Sequence, residues 1–155
     1  MTKWIRYALP AAAIMSSASP GYAMQYLSIE EAQKQAFPSA HFVEVQAGRV
    51  WKAESGGRVA GFFVLDRVVG KHLFIDYAVA LTPGGAVHSV EILQYRESYG
   101  GEIRSPSWLA QFVGKTSGSA LKINGDIRNI AGATLSSTHV TEGVKRVLAA
   151  YGRLR

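Results

Sequence analysis

The sequence of 155 residues contains no cysteine. This absence excludes disulfide frameworks, thiolate zinc sites, cysteine-ligated iron–sulfur clusters, c-type haem attachment and thiol nucleophiles, because each of them needs a sulfur that the chain lacks. Charged residues are few, at 18%, whereas 48% of the residues are apolar, so the composition favours one globular core over a disordered chain. A redox or metal function therefore needs other ligands or an organic cofactor.

The sequence also lacks an apolar run long enough to span a membrane near its start. Residues 7–18 are mostly small and apolar, but Pro10 and two serines keep the run well below the roughly 20 residues that a spanning helix needs. Two basic residues precede this stretch, and Gly21 and Ala23 are small residues at the minus-three and minus-one positions of a cleavage site. We predict a signal peptide over residues 1–23, a single mature domain over residues 24–155 and a periplasmic location. Its removal would take two positive charges from the net charge of +6.

Five segments of the mature chain have the composition of β-strands. They are rich in β-branched and aromatic residues, and short turns rich in glycine separate them. Such turns join neighbouring antiparallel strands. The predicted strands are Phe42–Val45, Val50–Glu54, Val59–Val69, Leu73–Leu81 and Val87–Tyr95. With the helices described next, they predict an α+β fold, a twisted antiparallel sheet with helices covering one face.

Two shorter helices are predicted from their first residues. Ser28 and Glu31 have the spacing of a capping box, in which each side chain binds the backbone amide of the other residue, and Pro38 ends the helix that follows. Ser105 precedes Pro106, and proline suits the first position of a helix because its missing amide is not needed there.

The last predicted helix follows a run of small and hydroxyl-bearing residues, Ile130–Ser137. Small residues let a backbone approach a ligand closely, and the free amides at a helix start favour an anion such as phosphate. The same run also suits a plain junction in which Ser136, Ser137 and Thr138 only cap the helix. Spacing alone leaves both interpretations open. The apolar residues at helical spacing are Val140, Val144, Val147, Leu148 and Tyr151.

Four segments occur in an order that is more specific than any one of them. Val87–Ile92 is a central strand, Glu97–Gly101 is a glycine-containing loop, and Trp108–Lys115 contains Trp, Phe, Gly and Lys in that order. Gly132–Ser137 is similar to the end of a signature, Asp-x-x-Ser-Gly-Ala-Thr, that a hydrophobic residue and hydroxyl pairs follow. Over roughly Val59 to Leu148 the chain thus resembles the FMN-binding domain family, found in flavin subunits of the Rnf and sodium-pumping quinone reductase complexes and in small exported proteins.

The resemblance implies FMN as the cofactor and Thr134 as its attachment residue, because a flavin transferase esterifies the corresponding threonine to the FMN phosphate in that family. The implied cofactor-binding residues form two groups. Around the attachment point they are Gly132, Ala133, Leu135, Ser136 and Ser137, and beside the isoalloxazine ring of the flavin they are Glu97, Tyr99, Gly100, Gly101 and Trp108. Trp108 also has helical spacing to Phe112, which equally suits a core residue.

The resemblance implies an exported electron-transfer flavoprotein rather than an enzyme. Its implied partners are a periplasmic flavin transferase and a membrane redox complex or reductase. The chain departs from the signature at Arg128, where an acidic residue is usual, and at Ala131, where Ser or Thr is usual, although Asp126 is close by. The alternative is therefore a module of the same fold that binds FMN without an ester, or binds another ligand or a partner protein.

Other functional classes have little support in the sequence. It shows neither a nucleophile with a nearby base nor paired carboxylates at useful spacing, so nothing indicates catalytic machinery. The four histidines lack the spacings of a metal site. The basic residues are scattered rather than striped with aromatic ones, which argues against nucleic-acid binding.

Overall fold

The computed structural model describes residues 24–154. The predicted signal peptide lies outside the described residues. The described chain forms one antiparallel sheet of six strands in the order β1-β6-β5-β4-β3-β2, with three α-helices. The strands are β1 (Met24–Gln25), β2 (His41–Gln46), β3 (Val50–Ser55), β4 (Arg58–Val69), β5 (Phe74–Leu81) and β6 (Val87–Tyr95). The helices are α1 (Ile29–Ala36), α2 (Pro106–Leu109) and α3 (Thr134–Tyr151).

The five strands predicted from the sequence are β2 to β6, and each predicted end lies within about one residue of the observed end. The meander arises because each strand from β2 to β6 pairs with the next one along the chain. Strand β1 was not predicted, since two residues carry no periodicity. It pairs with the end of β6, where Met24 lies opposite Tyr95.

Helices cover both faces of the sheet, so the expectation that they cover one face is wrong. Successive residues of a strand point to opposite faces. In β4, Phe62 packs in a core that also contains Val144 of α3. Its neighbour Phe63 packs in a second core, which contains Ala32 of α1. Both faces of the central strands are therefore buried, and the sheet separates two apolar layers.

The two predicted helix starts before α3 are confirmed in position. The capping box of α1 is complete: the Glu31 amide donates to the Ser28 hydroxyl over 3.1 Å, and the Ser28 amide donates to the Glu31 carboxylate over 2.8 Å. Helix α2 starts at Pro106, although the Ser105 side chain does not cap it. It continues as a 3-10 turn to Phe112.

Helix α3 begins earlier than the predicted hydroxyl caps imply. Ala133 occupies the N-cap position, and Ser136 and Ser137 lie inside the first turn and are buried. The reason is local: Gly132 has a φ of +81°, which turns the chain just before the helix, and the Ser137 amide already donates to the Ala133 carbonyl. The interpretation in which Ser136, Ser137 and Thr138 cap the helix is therefore wrong.

Polar contacts join α3 to the sheet. The buried carboxylate of Asp66 in β4 accepts hydrogen bonds from the Tyr77 hydroxyl at 2.6 Å and from Arg146 of α3 at 2.9 Å. Arg49 donates to the same carboxylate at 3.0 Å. Gly143 lies where α3 crosses Tyr77, and a Cβ there would be 2.2 Å from the tyrosine hydroxyl. These contacts fix the position of α3, and so of its first turn. No helix within residues 24–154 is long and apolar enough to cross a bilayer.

Candidate functional site

A cavity of about 550 Å³ lies at the N-terminus of α3. Three segments that are far apart in the sequence form its walls: the turn between β4 and β5, the chain from the end of β6 into the loop that follows, and the start of α3. The lining residues are Lys71, His72, Tyr95, Glu97, Ser98, Tyr99, Gly132, Ala133, Thr134, Leu135 and Ser136. The structure therefore brings the two sequence motifs, the 97–101 loop and the 132–137 run, to one site.

The first turn of α3 presents its backbone to this cavity. No side-chain hydrogen bond caps the helix, and the amides of Thr134, Leu135 and Ser136 belong to the first turn, where a helix offers them no carbonyl partner. Thr134 and Leu135 are exposed, and the latter is 49% exposed. An uncapped helix start beside a hydroxyl-lined cavity suits a phosphate group, because the free amides and the helix dipole favour negative charge.

Asn129 holds the Thr134 hydroxyl. Its side-chain amide donates to Thr134 Oγ1 over 3.1 Å, and its side-chain carbonyl accepts from Ser137 Oγ over 3.1 Å. Ser137 is fully buried, and its single hydroxyl proton is shared between this carbonyl and the Thr134 carbonyl, which is also at 3.1 Å. Sequence reasoning missed Asn129, because nothing in the local pattern shows that a residue five positions before Thr134 turns back to it.

Glu97 supports the cavity wall through the backbone. Its Oε1 accepts hydrogen bonds from the amides of His72 and, at 2.7 Å, Leu73, both in the turn between β4 and β5. Desolvation alone would raise the pKa of Glu97, but these amide hydrogen bonds outweigh it and hold the pKa below its ordinary value. Glu97 thus lines the cavity, with one oxygen committed to fixing the neighbouring turn, and its contact with the flavin ring stays a prediction.

Within the 97–101 loop, Tyr99 lines this cavity and Gly100 does not. Tyr99 is 85% exposed at the cavity mouth, and its carbonyl accepts from the Tyr95 hydroxyl. Burial raises the pKa of that Tyr95 hydroxyl. Gly100 packs against Ala133 from behind, and with Gly101 it lines a neighbouring cavity of about 1000 Å³ instead of this one.

Trp108 lies away from the cavity. It is 5% exposed, packs edge-on against Phe112 at 5.2 Å between ring centroids, and donates its indole N–H to the Arg128 carbonyl over 2.8 Å. Of the two interpretations of its spacing, the geometry supports the core residue. The indole anchors the segment that leads to the motif.

Asp126, the acidic residue close to the departures from the signature, is engaged in structure. Both carboxylate oxygens of Asp126 accept backbone amides, from Leu121 at 3.0 Å and from Lys122 at 2.8 Å, and Lys115 forms an ion pair with it at 3.1 Å. The amide of Lys122 is the largest influence on Asp126, and these hydrogen bonds together hold its pKa well below its ordinary value. Arg128 is exposed. Asp126 therefore closes a turn before the motif.

Lys71 and His72 are cavity residues that the sequence pattern did not indicate, because only the pairing of β4 with β5 brings their turn to α3. His139 of α3 fixes the same turn from below: its Nδ1 contacts the Val69 carbonyl at 2.6 Å and the Gly70 carbonyl at 3.1 Å. Within the described residues, no group of three or more histidine, aspartate or glutamate side chains is arranged to hold a metal ion.

Comparisons with known proteins agree with this geometry. Residues 70–149 match the family model of the FMN-binding domain, a range that contains the 97–101 loop, the Asn129 contact and the start of α3. The crystal structure of Shewanella oneidensis NqrC has a similar fold, with a TM-score of 0.51 and 14% sequence identity over 80% of this chain and 75% of that chain. A search of curated proteins finds no match.

The match covers half of the chain, includes every segment that walls the cavity, and confirms the resemblance that the sequence motifs indicate. An uncapped helix start beside a hydroxyl-lined cavity is also an arrangement that fits a flavin phosphate. The chain therefore belongs to the FMN-binding domain family, with FMN as its cofactor.

Proposed function

We propose that the protein is an exported electron carrier whose FMN is joined to Thr134 through a phosphoester. The observation that carries the proposal is the position of Thr134, an exposed hydroxyl on the first residue of an uncapped helix that opens onto the cavity. Bound FMN supplies the redox chemistry, and the protein holds the cofactor and sets the charge and polarity around it.

The described residues divide into two groups around the cofactor. The amides of Thr134, Leu135 and Ser136 are positioned to bind the phosphate, and Gly132 lets the backbone approach it without a side chain in the way. At the mouth of the cavity, Tyr99 offers an aromatic surface for the ring.

The ester requires a flavin nucleotide with an activated phosphate, because a threonine hydroxyl does not condense with FMN itself. With flavin adenine dinucleotide as the donor, Thr134 Oγ bonds to the flavin-side phosphorus and the phosphoanhydride bond breaks. AMP leaves, and the hydroxyl proton passes to a base of the flavin transferase. No electrons are exchanged in this step.

Export and partners complete the proposal. Residues 1–23 have the order of a signal peptide, so the mature chain would begin at Met24 in the periplasm. There a flavin transferase modifies it, and a membrane redox complex or reductase exchanges electrons with it. The family resemblance supports these partners.

Coexpression tests the proposal. The full chain is produced with and without a periplasmic flavin transferase, and the purified protein is examined by absorption spectroscopy and intact mass. We expect a yellow protein that starts at Met24 and carries a flavin adduct after denaturation. Thr134→Val should lose the adduct and keep the fold. A colourless wild-type protein without an adduct would overturn the proposal, and a persistent adduct in Thr134→Val would move the attachment site.

The second candidate is a domain that holds FMN without the ester. Arg128 and Asp126 favour it, because the first replaces the usual acidic residue and the second is committed to its own turn. Titration of flavin-free protein with FMN separates the two candidates: micromolar or tighter binding, no covalent adduct and an unchanged affinity in Thr134→Val would favour the second one.

A further inference from the structure

The strongest unassigned feature is the network in which Asn129 connects Thr134 to Ser137. We propose that Asn129 is a positioning residue that prepares the Thr134 hydroxyl for modification. This inference rests on the proposed ester and adds to it a role for a residue at a variable position of the signature.

The geometry assigns a direction to each hydrogen bond. Because Thr134 Oγ1 accepts a hydrogen bond from the Asn129 amide at 3.1 Å, its own proton is not used by that contact. The exposed oxygen keeps a lone pair and an O–H bond free on the side away from Asn129. A hydroxyl in this state can attack a phosphorus atom and release its proton to a base of the transferase.

Ser137 makes the arrangement rigid. Its hydroxyl is fully buried and donates to the Asn129 carbonyl, so the Asn129 side chain is held at both ends. The Thr134 hydroxyl accepts from this held side chain and is therefore kept in one orientation before any ligand arrives, and a fixed orientation lowers the entropy that the reaction must lose. The segment before Asn129 has separate contacts that do not reach Thr134: the Arg128 amide donates to Gln111 at 2.8 Å, and the Arg128 carbonyl accepts from Trp108.

Orientation of the Thr134 hydroxyl and recognition by the transferase have different effects on the kinetics of modification. A residue that only orients the hydroxyl acts on the rate at saturating protein, whereas a residue that shapes the surface recognised by the transferase acts on the concentration needed for saturation. Asn129→Ala removes both contacts. Asn129→Asp keeps the size and the acceptor for Ser137, but its carboxylate cannot donate to Thr134.

Gln111→Ala is the matched control. Its side chain holds the same segment at Arg128 and does not contact Thr134. All variants are purified from cells that lack the transferase, their folding is checked by thermal unfolding, and they are then flavinylated in solution with purified transferase and flavin adenine dinucleotide. The initial rate of adduct formation is measured against protein concentration.

We expect kcat to fall about 3- to 10-fold in Asn129→Ala and in Asn129→Asp with an unchanged KM, since one ordinary hydrogen bond corresponds to about that factor. Gln111→Ala should retain the wild-type kcat. A wild-type kcat in either Asn129 variant, or a loss that falls on KM alone, would overturn the inference while the ester stands. A wild-type protein that takes up no flavin at all would overturn the ester and this inference together.

Discussion

The backbone of Gly100 lies directly against Ala133, the N-cap residue of α3. A Cβ at position 100 would be 2.8 Å from the Ala133 Cβ and 2.6 Å from the Tyr95 hydroxyl, and Gly100 has a φ of +85° that favours glycine. This contact joins the 97–101 loop to the start of α3, so the two sequence motifs support each other.

Replacement of Gly100 should therefore disturb both motifs at once. We expect Gly100→Ala to lower the free energy of unfolding by about 1–3 kcal/mol, because the side chain meets two neighbours and the backbone is strained. It should also weaken FMN binding, measured by fluorescence titration. Gly101→Ala is the control, since a Cβ there meets nothing within 4 Å and its φ is not positive. Equal stability of the two variants would contradict the prediction.

Glu97 should make stability depend on pH. Its folded pKa is lowered by the amides of the β4–β5 turn, so its contribution is complete above its ordinary pKa of about 4.3 and is lost as the pH falls through the lowered folded value. We expect Glu97→Gln to be less stable than wild type near pH 7 and the difference to shrink on acidification. Urea unfolding at several pH values measures this, and titration of Asp76 and Asp126 cancels because both proteins contain them. A difference that is independent of pH would contradict the assigned charge effect.

Trp108 and Tyr99 should separate stability from binding. Trp108→Phe removes a buried hydrogen bond to the Arg128 carbonyl and leaves a smaller ring, so we expect a loss of about 1–3 kcal/mol in stability. The affinity for FMN should be nearly unchanged, because Trp108 does not line the cavity.

Tyr99→Ala is the converse variant. The Tyr99 side chain is 85% exposed at the cavity mouth, so its removal should alter FMN affinity or fluorescence and leave stability near the wild-type value. The opposite pattern would place the ring beside Trp108.

Gly143 should reverse the usual effect of alanine in a helix. Helix propensity alone predicts that Gly143→Ala stabilises α3 by about 1 kcal/mol. A Cβ there would lie 2.2 Å from the Tyr77 hydroxyl and 2.9 Å from Val68, so we expect a net loss of about 1–3 kcal/mol. In Tyr77→Phe the main obstruction is absent, and Gly143→Ala should be less harmful in that background. Thermal unfolding of the four proteins gives the coupling, and additive effects would contradict the packing explanation.

Most of the fold was predictable from local patterns, because these patterns involve residues that are close together in the sequence. The Ser28 and Glu31 capping box and the strand boundaries depend on contacts within a few positions, and they agree with the structure. The second apolar layer was missed, although the continuous apolar run that contains Phe62 and Phe63 is typical of a strand buried on both faces.

The site was predictable in its segments and not in its connections. The motif resemblance located Thr134 and the 97–101 loop, which line or adjoin one cavity. The hydrogen bond from the His72 amide to Glu97 joins residues 25 positions apart. The hydrogen bond from Asn129 to Thr134 depends on the turn at Gly132. The first contact follows from tertiary packing and the second from the conformation of a local turn, and residue spacing in a single sequence records neither.

The three walls of the cavity are far apart in the sequence, so retention of a flavin in the cavity depends on folding. Residues 71–72, 95–99 and 132–136 meet only when β4, β5, β6 and α3 are all in place, so the unfolded chain exposes Thr134 but has no cavity. A flavin held only by these walls is retained by the folded state and not by the unfolded one, and by mass action it stabilises the domain that holds it. An esterified flavin stays on the chain in either state. Colour that is lost on unfolding would therefore report the folded fraction, whereas colour that stays with the unfolded chain would report the ester.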